Sequence, residues 1–98
     1  MILSIDQGTT NTKAVLVDEA GRVVGSGSAP VGLSSPRPGW VEQEADEIWS
    51  RVLAAVADCR AAAPAATLAG VAVSNQRESV VGWRRSTGVT SRQARRPR

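Results

Sequence analysis

The hydrophobic pattern switches to a helical period at Ala45, and that switch most narrows what the chain can fold into. From there Ala45, Ile48, Trp49, Val52, Leu53, Val56 and Cys59 recur at i, i+3, i+4, i+7 and i+8, the spacing of an amphipathic helix. Asp46 and Glu47 in its first turn and Arg60 near its end complement the helix dipole, and Pro64 stops it. Before the switch, apolar and β-branched residues come in short runs. Residues 1–5 read as a buried strand ending at Asp6, and QGTTNT as a turn in which Gly8 takes angles other residues avoid. Residues 13–18 (KAVLVD) form a second strand, 19–22 (EAGR) a hairpin turn and 23–29 a third strand. Gly25 and Gly27 mark that third strand as twisted or close to an edge. Residues 30–39, with three prolines and two glycines, are loop. After the helix, residues 68–74 (LAGVAVS) make a fourth strand and 80–85 a fifth, turning at Ser86, Thr87 and Gly88. The order is β-β-β-α-β-β. A helix between strands three and four brings strand four into the sheet by a crossover, so the fold class is α/β.

Composition excludes more than it assigns. Ninety-eight residues are too few for a TIM barrel or a two-lobed enzyme. The longest apolar stretch, residues 61–73, is interrupted by Pro64, Thr67 and Gly70, so no membrane span is expected. MILSIDQG has no basic segment and no signal-peptide character, which points to the cytoplasm. One cysteine rules out an internal disulfide, and the lack of histidine removes Ser-His and Cys-His catalysis and nearly excludes zinc. Cys59 reads as a small buried residue rather than a nucleophile, Trp49 as core and Trp40 as a pin for the preceding loop.

The net charge of +3 is unevenly spread. Residues 1–82 carry six basic side chains against all nine acids, whereas 83–98 carry six arginines and no acid. The last ten residues, VTSRQARRPR, hold little apolar material and are expected to be a disordered basic tail. They lack aromatic interleaving, so a nucleic-acid partner is not expected.

Two polar segments could carry chemistry. In Asp6-Gln7-Gly8-Thr9-Thr10-Asn11-Thr12-Lys13, a strand delivers a carboxylate to its carboxyl end, and a tight turn aims backbone N–H groups into one concavity. With two hydroxyls and Lys13, such a turn can cradle phosphate oxygens while Asp6 holds Mg²⁺ directly or through water. An ordinary β-turn with polar fill has the same composition. No Walker A loop and no Rossmann fingerprint is present. The second segment, Ser74-Asn75-Gln76-Arg77-Glu78-Ser79, follows a strand that should lie beside strand one. Its Arg-Glu pair suits a polyhydroxylated ligand, and equally a surface ion pair at a strand end.

Taken in order, DQGTTNTKAVLVD, GR-VVG, PGWVEQEADEIW, GVAVSNQRESVVGW and STG resemble the N-terminal domain of the FGGY carbohydrate kinases, glycerol kinase most of all. The likeness runs from about Ile2 to Gly88. It implies the actin-like, ribonuclease-H-like ATPase fold, with residues 1–88 an incomplete N-terminal domain and 89–98 the tail. It also implies ATP-dependent phosphorylation of a hydroxyl on a sugar or polyol. In those kinases Asp6 would assist Mg²⁺, and Thr9, Thr10, Asn11 and Lys13 would contact the nucleotide phosphates. Arg77 and Glu78 would bind substrate hydroxyls, with Gln7 and Gln76 flanking. The catalytic base is expected in a C-terminal domain that this chain lacks, so the 98 residues are expected to be inactive alone. Full-length relatives are expected to be homo-oligomers. Glycerol kinases usually carry Ser-Ser-Arg where this chain has Asn11-Thr12-Lys13, and losing the arginine fork favours a related polyol or sugar, such as a ketose of the xylulokinase type. A non-catalytic truncated fragment is the alternative from a different class.

Overall fold

The computed structural model describes residues 1–76, 79–90 and 94–96. Strands β1 (Ile2–Gln7), β2 (Asn11–Val17) and β3 (Val23–Pro30) form an antiparallel meander. A short strand β4 (Val41–Gln43) precedes helix α1 (Ala45–Ala61), and β5 (Gly70–Asn75) returns parallel to β1. The main sheet runs β3-β2-β1-β5, with α1 as the crossover between β3 and β5. This is the α/β arrangement that the change of period implied.

Local chemistry accounts for the turns. Asp18 accepts from the Gly21 amide, and its carboxylate takes the Ala20 and Arg22 amides and the Arg22 guanidinium, closing the β2–β3 hairpin. Gly21 sits at φ 81°, in the left-handed region. In the loop before β4, Arg37 lies over the Trp40 ring at 5.0 Å, and the Trp40 amide bonds Arg37 O, so Trp40 does pin this loop.

The core combines two leucines with small side chains. Leu3, Ala14, Leu16, Ala29, Ala55 and Cys59 are buried between the sheet and α1. The helix lies mainly over β3 and β2, where Gly25 and Gly27 face its backbone. A Cβ on Gly27 would collide with Ala55 O and come within 2.8 Å of Asp58 Cβ, and one on Gly25 would collide with Cys59 O. These glycines therefore mark a close helix–sheet approach, a cause the sequence reading did not give them.

That approach turns the helix. Its inner stripe is centred on Ala55 and Cys59, while Trp49 is 62% exposed and Leu53 49% exposed, so Trp49 is not core. Only small side chains fit where the helix backbone meets β3, and the bulkier pair is rotated outward.

Two further expectations are corrected. Residues 80–85 do not form a fifth strand of the sheet. The described contacts there are a Trp83–Thr90 bridge and the turn closed by Gly88 N to Arg84 O at 2.7 Å, with Gly88 at φ 74°. Val80, Val81 and Trp83 stay exposed, without apolar burial to hold an extended segment against β5. Within the tail expected to be disordered, Ala94–Arg96 forms strand β6, antiparallel to Val41–Gln43. Pairing of this kind uses backbone groups of an open strand edge and needs no apolar side chains.

Candidate functional site

Both polar segments end at one edge of the sheet. In the parallel pairing of β1 with β5, Asp6 is opposite Ser74 and Gln7 opposite Asn75, so the two strands end side by side. On the other side of β1, Asp6 is directly opposite Lys13 of β2. Both side chains are exposed, and no ion pair joins them among the described residues. Arg77 and Glu78, expected to bind substrate, lie outside the described residues.

The turn between β1 and β2 is closed by Gly8 N to Asn11 O at 2.9 Å. Gly8 is required here, because a Cβ would lie 2.7 Å from that same carbonyl. Thr9 and Thr10 form the tip, and Asn11 is the first residue of β2. Each carbonyl of the turn accepts a hydrogen bond. Asn11 O takes the Gly8 amide, Gly8 O takes Gln7 Nε2 at 2.8 Å, and Thr10 O takes the Val31 amide at 2.9 Å. Thr9 O takes Gln43 Nε2 at 2.7 Å.

Gln43 was not among the residues singled out from sequence. It ends β4, is 4% exposed, and accepts from Gln76 Nε2 at 2.8 Å through its Oε1. The same Gln76 nitrogen lies 3.5 Å from Gln7 Oε1. Gln7, Gln43 and Gln76 thus come from the three segments DQGTT, PGWVEQ and SNQRE, and meet behind the turn. A buried amide needs partners, and Gln43 has one on each of its amide atoms, whereas Gln76 Oε1 is buried without a partner among the described residues. The available signal was that each segment carries a glutamine, but nothing in the sequence shows that the three converge.

The composition of the edge resembles a phosphate-handling site: a carboxylate and an amine side by side at a strand end, next to a hydroxyl-bearing turn. The family model for the N-terminal domain of the FGGY family of carbohydrate kinases matches residues 1–91. The chain belongs to this family. It is 47% identical over 88 residues to an apulose kinase of Pectobacterium atrosepticum, covering 90% of this chain and 18% of that protein. A glycerol kinase of Bacillus mycoides is 43% identical over 89 residues, with 89% and 18% covered. The solved structure of a xylulose kinase from Rhodospirillum rubrum superimposes with a TM-score of 0.87 at 30% identity, covering 96% of this chain and 20% of that one. The FGGY chain described here therefore spans about a fifth of the length of the relatives it matches. Its sheet and crossover helix are those of an FGGY kinase N-terminal domain.

Proposed function

We propose that these residues form the phosphate-handling and acceptor-handling edge of a kinase that transfers the γ-phosphoryl group of ATP to a hydroxyl of a sugar or polyol. The observation that carries this reading is the register of Asp6 opposite Lys13, beside the Gly8–Asn11 turn. Phosphoryl transfer needs positioning and charge neutralisation more than covalent chemistry. Lys13, the turn amides, the Thr9 and Thr10 hydroxyls and the Asn11 carboxamide would bind and orient the phosphates, and Arg77 and Glu78 would hold acceptor hydroxyls.

Asp6 would hold Mg²⁺. The described residues offer no cluster of three or more metal-ligating side chains, and Mg²⁺ in nucleotide sites is held by one or two carboxylates, water and the phosphates themselves. An exposed carboxylate at the end of β1 fits that pattern. The ion, when bound, neutralises charge on the phosphates.

The acceptor is a sugar or polyol related to glycerol. Asn11-Thr12-Lys13 departs from the Ser-Ser-Arg of glycerol kinases, and the identity to the apulose kinase, at 47%, is no lower than the 43% to the glycerol kinase. The test is ATP-dependent phosphorylation by a full-length kinase carrying residues 1–88 as its N-terminal domain, on glycerol, erythritol, apulose and xylulose. Turnover of one of these supports the reading, with a ketose favoured over glycerol marking the xylulokinase-like alternative. No transfer to any hydroxyl acceptor overturns it.

No helix among the described residues is long and apolar enough to cross a membrane.

A further inference from the structure

The glutamine cluster behind the turn does more than fill space. Peptide bonds in this chain are trans among the described residues, so the N–H of each residue points opposite to the carbonyl of the residue before it. A hydrogen bond that fixes Thr9 O therefore also fixes the direction of the Thr10 N–H. Gln43 Nε2 makes that bond at 2.7 Å. Gln43 is itself held by Gln76, whose single amide nitrogen reaches both Gln43 Oε1 and Gln7 Oε1. Gln7 in turn donates to Gly8 O, which fixes the preceding peptide plane of the turn, Gly8–Thr9.

An anion beside a turn is attracted by N–H groups and repelled by carbonyl lone pairs. With Gly8 O, Thr9 O, Thr10 O and Asn11 O all engaged by donors from the protein, the turn has its carbonyls directed into the chain. A peptide flip at Thr9–Thr10 would break the Gln43 bond and leave a buried amide unsatisfied, so the cluster penalises the arrangement that presents a carbonyl to the ligand.

We propose that Gln43 and Gln76 are positioning residues for phosphate binding, locking the Thr9–Thr10 peptide so that its N–H faces the phosphate. The proposal rests on the phosphate-binding reading of this turn. Each acts through the backbone of Thr9, Gln43 directly and Gln76 by way of Gln43.

The test uses ¹⁵N-labelled 98-residue chain titrated with inorganic tripolyphosphate, following the Thr10 amide resonance, for the wild type, Gln76→Ala and Gln43→Glu. Gln43→Glu keeps the size but loses the donor. Gln43 is buried and that variant can fail to fold, whereas Gln76 is only partly buried, so Gln76→Ala keeps the test alive. Thermal melts by circular dichroism separate unfolding from loss of positioning. The expected result is a saturable shift in the wild type and about three- to tenfold weaker binding in Gln76→Ala, with cooperative melting retained. Equal affinity in the wild type and folded variants overturns the positioning role and leaves the phosphate turn standing. No response in the wild type overturns the phosphate reading itself.

Discussion

Asp6 and Lys13 are direct cross-strand partners at the end of the β1–β2 ladder, one residue pair before the turn that joins those strands. Opposed residues on neighbouring strands share a face, with Cβ atoms about 5 Å apart. An acid and a base in that position normally relax into a surface ion pair. Here both charges remain exposed with no ion pair to each other, next to a turn whose carbonyls are already occupied.

The two side chains should therefore separate in kinetics. In a full-length kinase carrying this domain, Asp6→Ala is expected to lower kcat on the order of 100-fold with little change in acceptor KM, because it acts on metal and transferring phosphate. Lys13→Ala should raise the KM for ATP about tenfold, the cost of one charged hydrogen bond. Steady-state kinetics with ATP and acceptor varied independently decide this. Equal effects of both variants on acceptor KM, with kcat intact, contradict the assignment.

Gly27 gives the second prediction. Its Cα faces the backbone of α1 so closely that a methyl group would collide with Ala55 O. Gly27→Ala is expected to destabilise the chain by about 2 kcal/mol through forced separation of helix and strand. Urea unfolding followed by tryptophan fluorescence measures it. Gly21→Asn, at a positive φ with nothing within 4 Å, is the control and should cost far less.

These glycines show where sequence reasoning stopped. Strands β1, β2, β3 and β5 were legible because apolar runs and turn residues are local signals, and the switch to a 3.6-residue period at Ala45 is equally local. The packing of α1 is not. Seven apolar positions define a broad stripe, and which part faces inward depends on Gly25 and Gly27, thirty residues away in sequence, opposite Ala55 and Cys59. Trp49 was misplaced for that reason. Gln43 was missed because a glutamine in a polar stretch has no periodicity, and its role appears only when Thr9 and Gln76 arrive from elsewhere. The edge shared by Asp6, the turn and Gln76 was legible, because a parallel β5 beside β1 necessarily brings the two strand ends together.

Thr12 provides a third test. Its side chain is fully buried, and Oγ1 has no hydrogen-bond partner among the described residues. A buried hydroxyl without a partner carries a desolvation cost that a methyl group of the same shape avoids. Thr12→Val should stabilise the chain by about 1 kcal/mol, read as a raised urea midpoint at unchanged slope. A lowered midpoint would mean that the hydroxyl is satisfied.

Cys59 predicts a pH dependence. Burial pushes its thiol above the ordinary value, against a smaller opposing pull from Arg60. The folded state then holds the thiol proton more tightly than the unfolded chain. Its contribution to stability is complete below the unfolded thiol value, about 8.5, and is lost as pH rises through the folded one. Stability should fall above about pH 8.5, and the fall should be shallower in Cys59→Ala. Identical slopes in the two proteins between pH 8 and 10 would rule out the thiol as the cause.

The last prediction concerns the 98-residue chain on its own, which we expect to have no sugar or polyol kinase activity. In-line transfer requires the phosphates and the acceptor hydroxyl to be enclosed and water excluded. Here the turn lies at an open sheet edge, where Lys13 and a few amides compete with solvent for the phosphates. The described residues that carry the site supply binding groups but no second wall over them. The same openness exposes apolar surface: Val71 and Val73 on edge strand β5 are 57% and 69% exposed, and Val80 and Trp83 beyond it 69% and 63%. An uncovered edge strand next to apolar side chains is a template for association. Purified chain should therefore give no ATP-dependent phosphorylation of glycerol or xylulose, and should sediment as a concentration-dependent mixture. Turnover by a monodisperse monomer would contradict both expectations and place a catalytic base within these 98 residues.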